Sequence, residues 1–135
     1  MKCTVLAVGR LRPPFADDVQ HYRTLLIRHT RLDLIEVRED ERVEKRIPDR
    51  AFVVLLHSEG RAFDSVQFSG WLEERRQDGR DIVFVVGGPY GLDLDRCDLR
   101  LSLGPMTLPH QLARVVLLEQ LYRAHKILAN DPYHY

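Results

Sequence analysis

The sequence predicts an α/β fold built on a mostly parallel sheet, and three features carry that expectation. Short apolar runs rich in β-branched residues alternate along the chain with segments of helical period. Glycine and proline punctuate the junctions. Two glycine/proline-rich turns, Gly87-Gly88-Pro89-Tyr90-Gly91 and Gly104-Pro105-Met106-Thr107-Leu108-Pro109, follow strand-like segments, where an open α/β sheet holds its ligand.

Taken in order, Cys3–Val8 is an apolar run stopped by Gly9 and reads as a buried strand. After Pro13-Pro14, the residues Phe15, Val19, Tyr22, Leu25 and Leu26 recur near 3.6 residues, predicting a helix to about Thr30. Leu32–Val37 alternates apolar and polar side chains and reads as a less buried, edge strand. Residues Arg38–Arg50 are nearly all charged with mixed signs. They read as a solvated loop or short helix, with a substrate-facing strip of Arg42, Lys45, Arg46 and Arg50 as the alternative. Ala51–Leu56 is the next strand, followed by a loop over His57–Arg61. Asp64 or Ser65 can cap a helix from about Val66 to Gln77 that stops at Gly79. Ile82–Val86 is the fourth strand, Leu99–Leu103 the fifth, and Gln111–Ala129 the final helix. That helix is apolar over a wide arc, so one flank is expected to face the sheet and the other a second copy, most simply in a twofold dimer.

The chain has 135 residues, one domain's worth, with 44% hydrophobic and 30% charged residues, as in an ordinary globular protein. No apolar run approaches the roughly 18 residues of a membrane span. The start runs directly into a strand without a signal-peptide pattern, so a cytoplasmic location is expected. Lys+Arg and Asp+Glu both number 20, which argues against a protein that coats nucleic acid through bulk charge and leaves room for a local basic patch. Cys3 and Cys97 read as buried reduced thiols. The six histidines lack metal-ligand spacing, and no metal is expected. His21 and His29 read as surface residues, His125 as a helix residue for packing or solvent contact, and His110 as a helix-start capping residue.

Neither the dinucleotide fingerprint nor a phosphate loop is present. The two turns instead suggest a slot with fixed backbone donors and acceptors and an apolar wall from Met106 and Leu108, which suits an adenine ring.

Jointly, Val85-Val86-Gly87-Gly88-Pro89-x-Gly91, Met106-Thr107-Leu108-Pro109-His110, Leu121-Tyr122-Arg123-Ala124 and Asn130-x-Pro132-Tyr133-His134 resemble the RlmH family, SPOUT-class pseudouridine N3-methyltransferases of large-subunit ribosomal RNA. Val5-Leu6-Ala7-Val8-Gly9, Trp71-Leu72-Glu73 and Asp78-Gly79-Arg80-Asp81 fit as well, so the resemblance spans nearly the whole chain. It implies a SPOUT-type mostly parallel sheet flanked by helices, a C-terminal deep trefoil knot and a homodimer. It also implies S-adenosyl-L-methionine held at Leu56, Gly88 and the stretch Gly104, Pro105, Met106, Thr107, Leu108 and Pro109. The substrate would be a pseudouridine of 23S ribosomal RNA, at family site 1915, on the assembled ribosome. Alternatives are another RNA such as transfer RNA, or a non-catalytic ribosome-binding module.

Methylating N3 requires loss of its proton, which a base or an anion-stabilising cation assists. His134, Arg123 and Arg114 are the catalytic candidates, in that order. Tyr133, His134 and Tyr135 are expected to meet substrate, with Tyr133 stacking on a base and the tail completing the partner subunit's pocket. Four departures from the family pattern stand out: a shortened Arg38–Arg50 segment, His57 where aspartate is common, Tyr90 where glutamate or asparagine is common, and Tyr135 in place of a basic residue.

Overall fold

The computed structural model describes residues 1–133. Five strands form one sheet in the order β2-β1-β4-β3-β5, and every adjacent pair runs parallel. They are β1 (Lys2–Val8), β2 (Arg31–Val37), β3 (Phe52–Ala62), β4 (Ile82–Val86) and β5 (Leu99–Ser102). The helices are α1 (Phe15–Leu26), α2 (Ser65–Asp78) and α3 (His110–Leu128). β2 pairs with β1 alone and is an edge strand, as its alternating pattern predicts.

Strand side chains point alternately to the two faces, and the two faces are covered differently. Cys3, Val5 and Ala7 of β1 with Ile82, Phe84 and Val86 of β4 face the layer that holds Leu26 of α1, Trp71 and Leu72 of α2 and Leu117, Leu118 and Leu121 of α3. Leu6 and Val8 with Val83 and Val85 face the opposite way. Among the described residues, no helix with the length of α1–α3 covers that second face. Val43 and Ile47 plug it from two single-turn 3₁₀ helices, Asp40–Arg42 and Glu44–Arg46, joined by Leu94 from the loop after β4. The sheet is flanked by helices as expected, with α1, α2 and α3 all packed on one of its faces. The charged Arg38–Arg50 segment is anchored by its two apolar residues while Arg42, Lys45, Arg46 and Arg50 stay exposed. Arg96 fastens the end of this segment, donating to the carbonyls of Ile47 at 3.4 Å and of Pro48 and Asp49 at 2.6 Å each.

Several boundaries differ from expectation for local reasons. α1 ends at Leu26, so His29 and Thr30 lie in the turn beyond it. α2 is capped by Asp64 in a reciprocal capping box with Gln67 and ends at left-handed Gly79 (φ 76°). β3 continues past Leu56 to Ala62, where a loop was expected. Leu56 and Arg61 both register against Leu101 of β5, so residues 57–60 bulge outward between two paired stretches. Gly60 permits this, because a Cβ there would fall 2.6 Å from the Arg100 carbonyl carbon and oxygen. Cys97 is half-buried, with its thiol donating to the Leu99 carbonyl at 3.1 Å, while Cys3 is fully buried and its thiol is pushed up to about 11 by desolvation.

Candidate functional site

β3, β4 and β5 end at the same edge of the sheet, and the two glycine/proline turns meet there. A cavity of about 160 Å³ has a floor of Leu56, Val86 and Leu101 and a rim from Gly88, Gly104 and the Met106–Leu108 stretch. That volume is well below the ~300–1,000 Å³ of a whole small-ligand pocket, so it suits one ring-sized fragment. It opens into a wider groove of about 1120 Å³ that shares Leu56, Gly88, Thr107 and Leu108 and adds Pro109, Tyr90 and Asp40. The fold thus brings together Leu56, Gly88, Gly104, Met106, Thr107, Leu108 and Pro109. Pro105, between Gly104 and Met106, is exposed and lines neither space.

The turn at Gly87 is tight by necessity. A Cβ on Gly87 would lie 2.9 Å from the Leu92 Cβ and 3.0 Å from the Gly91 carbonyl carbon. Gly88 is different, since its Cβ would make only ordinary contact with Val8 at 3.6 Å. Its lack of a side chain matters for the groove more than for the fold. The amides of Met106, Thr107 and Leu108 make no backbone hydrogen bond to the described residues and sit on an exposed loop, free to donate to a ligand. An apolar floor under a rim of free amides fits a flat heteroaromatic ring with edge acceptors.

Two imidazoles border the groove. His57, in the β3 bulge, accepts from the Glu59 amide at 3.1 Å. His110 is the first residue of α3, whose N-cap is Pro109, so its side chain is free of the capping role expected for it and lines both spaces. Burial, then the positive charges of Arg114 and Arg12, push its pKa below the ordinary histidine value. His110 directly follows the Thr-Leu-Pro stretch, which was the available signal for its placement.

The catalytic candidates fall elsewhere. Arg114 is 4% exposed and lines neither space. Its guanidinium donates to the Val8 carbonyl at 3.1 Å, the Gly9 carbonyl at 2.7 Å and Glu36 at 2.6 Å, so it ties α3 to the end of β1. Arg123 lies thirteen residues along α3 from His110, about 20 Å at 1.5 Å per residue. Its Nε and Nη2 both donate to one oxygen of Glu119, at 2.8 and 2.5 Å. That hydrogen bond raises its pKa further, so it is a permanent cation. Tyr133 folds back over it, with the guanidinium 5.0 Å from the ring centre and the ring edge-on to Tyr122 at 4.8 Å. Burial, then the nearby Glu119 carboxylate, push the Tyr133 hydroxyl up to about 12, so it stays protonated. His134 and Tyr135 lie outside the described residues. No group of three or more His, Cys, Asp or Glu side chains capable of holding a metal occurs among the described residues, and no helix among them is long and apolar enough to cross a membrane.

A parallel sheet with glycine and proline turns converging at its carboxyl edge defines an open-sheet α/β protein, the class in which ligands sit at that edge. Residues 1–134 match the family described as "Predicted SPOUT methyltransferase". The chain is 39% identical over 153 residues to ribosomal RNA large subunit methyltransferase H of Gemmatimonas aurantiaca, covering 99% of each. It is 44% identical over 146 residues to the protein of that name from Gluconacetobacter diazotrophicus, covering 96% of this chain and 95% of the relative. Against the one from Solidesulfovibrio magneticus it is 42% identical over 149 residues, covering 97% of each. The chain belongs to the SPOUT methyltransferases, in the ribosomal RNA large subunit methyltransferase H family.

Proposed function

We propose that this protein methylates N3 of a pseudouridine in 23S ribosomal RNA on the assembled ribosome, with S-adenosyl-L-methionine as donor. The observation that carries the reading is the groove. Leu56, Gly88, Gly104 and Met106–Leu108 come from three separate segments of the sequence and meet around one ring-sized, mostly apolar cavity rimmed by free amides. The adenine ring would lie in that cavity, and the remainder of the donor in the wider groove beside Thr107, Leu108 and Pro109. When bound, the donor supplies a methyl group on a sulfonium, which an in-line nucleophile can take without a metal.

The chain's own residues must position N3 and manage its proton. Arg123 cannot accept a proton, and its role is to stabilise the anion that develops at N3 and the adjoining carbonyls. The tail residue His134 is the base, and Tyr133, kept neutral, stacks on or donates to the target base. Arg114, the third candidate, serves by holding the end of β1. Arg123, with Tyr133 packed on it, sits about 20 Å along α3 from the groove of its own chain. A second copy that brings its α3 terminus to this groove resolves the separation. Leu112, Val116 and Ile127 form a partly exposed stripe on α3 that such a homodimer would cover. The C-terminal loops and α3 form the deep trefoil knot of the family, a rare topology.

The test is transfer of labelled methyl to ribosomes lacking the modification, with free large-subunit RNA in parallel and digestion to nucleosides. Label in N3-methylpseudouridine from ribosomes is the expected result. Label in another nucleotide, or only in transfer RNA, would replace the substrate assignment. Absence of donor binding would leave a non-catalytic ribosome-binding module.

A further inference from the structure

The loop that follows β1, Gly9–Arg12, is bonded to Gln111, next to the groove-lining His110, and is fixed far more completely than a surface loop requires. Gly9, at φ 98°, donates its amide to the Val37 carbonyl at 2.8 Å. Its own carbonyl accepts from Arg114 at 2.7 Å. The Arg10 carbonyl accepts from the Gln111 side-chain amide at 2.9 Å, and the Arg12 amide donates to the Gln111 side-chain oxygen at 2.8 Å. Between them the Leu11 amide donates to Glu36 at 2.8 Å, on the same carboxylate oxygen that takes Arg114. Gln111 and Arg114 are both buried and both stand in the first turns of α3, directly after the Thr107–Pro109 stretch.

This network holds in place a loop whose two cationic side chains are otherwise uncommitted. Arg10 and Arg12 are exposed, and neither guanidinium makes a hydrogen bond or ion pair with the described residues. Gln111, which bonds to the backbone of both Arg10 and Arg12, directly follows His110 of the groove lining, so the loop stands next to the groove, and the Arg12 charge is near enough to depress His110. The contrast with Arg38–Arg50 is instructive, since acids interleave with the cations there. In a chain of net charge zero, a rigid loop bearing two free arginines beside the groove is a local anion contact.

We propose that Arg10 and Arg12 bind backbone phosphates of the RNA strand carrying the target nucleotide, and that Gln111, Arg114 and Glu36 are positioning residues that aim them. This rests on the RNA-methyltransferase reading above.

The experiment measures ribosome KM and kcat for the wild type and the double variant R10Q/R12Q between 50 and 200 mM salt, with donor Kd by calorimetry. The expected result is a ribosome KM about tenfold higher at low salt, with kcat and donor Kd within about twofold. The log–log salt slope should flatten by about 1.4–1.8, the release of two counterions. R10K/R12K should restore most of that slope. Gln111→Ala should raise KM in the wild-type background but add little to R10Q/R12Q, because both act through the same contacts. An unchanged KM and slope would overturn the proposal, as would a main effect on donor Kd, which would place the arginines on the donor's carboxylate. A wild-type protein that binds donor but neither binds nor methylates ribosomes would defeat the RNA reading itself and this proposal with it.

Discussion

At its first turns α3 is locked into the sheet: Gln111 and Arg114 are buried, and each bonds to the loop that leaves β1. Towards its other end the same helix carries Arg123, and Tyr133 folds back over it from beyond the helix end; both are partly exposed, bonded to Glu119 and stacked on each other. The near end is finished within one chain, with its groove assembled and the Gln111 amide and both Arg114 Nη groups bonded to distant segments. The far end holds a permanent cation and a neutral phenol about 20 Å from the groove. Under the function proposed above, a site split between the ends of a helix about 28 Å long (19 residues at 1.5 Å each) would be complete only when two copies meet.

The largest effect that separates the ends is on turnover. Arg123→Ala should lower the single-turnover rate by about 10²–10³-fold, the usual loss for one anion-stabilising donor. Stability should fall by no more than about 1 kcal/mol, because the Glu119 pair is a partly exposed i,i+4 contact. A large drop in unfolding midpoint with little loss of rate would move Arg123 to a structural role.

The two glycines near the groove sharpen the near end. Gly60→Ala should destabilise by about 2–3 kcal/mol, because the new Cβ meets β5 backbone that cannot yield without unpairing β3. Gly88→Ala should leave the denaturation midpoint almost unmoved, since its Cβ finds ordinary contact, yet weaken donor binding about tenfold by blocking close approach to the backbone. If the two substitutions gave the same profile, the division between fold and groove would fail.

The smallest effect concerns pH and the packing of α3 against the end of α1. His125 is buried, stacks on His29 at 5.8 Å, and has an Nε2 without a partner among the described residues. Desolvation, then the His29 and Arg76 charges, lower its pKa to about 4. The folded state therefore binds fewer protons here than the unfolded state between about pH 6.5 and 4. The stability this group contributes is complete above pH 6.5 and lost as pH falls through that window, on the order of 2–3 kcal/mol in all. His125→Leu should flatten the acid limb of an unfolding-versus-pH curve and leave activity at pH 7.5 intact. An unaltered acid limb would mean the imidazole reaches water.

Strands with uninterrupted β-branched or aromatic runs, such as Ile82–Val86, were readable because burial on both faces leaves no other pattern. The groove residues were readable because glycine and proline at strand ends have few other uses. Three features were hidden. Polar His57-Ser58-Glu59-Gly60 looks like a loop, and only pairing of Arg61 and Ala62 with β5 makes it a bulge inside a strand. Val43 and Ile47 look incidental among charges until the helix-free face of the sheet needs covering. Arg114 has the chemistry of a catalytic cation, and its assignment turned on carbonyls more than a hundred positions away in sequence, at Val8 and Gly9. Local pattern carries no information on such contacts.

The most direct test of the split site mixes two inactive proteins. One carries Gly88→Arg, which fills the groove, and the other Arg123→Ala, which empties the α3 terminus. Co-refolded in equal amounts, they should recover about a quarter of wild-type methyl transfer, because half the dimers pair one intact groove with the partner's intact terminus. Activity no higher than that of the separate variants would place groove and Arg123 of the same chain in one site and contradict the account.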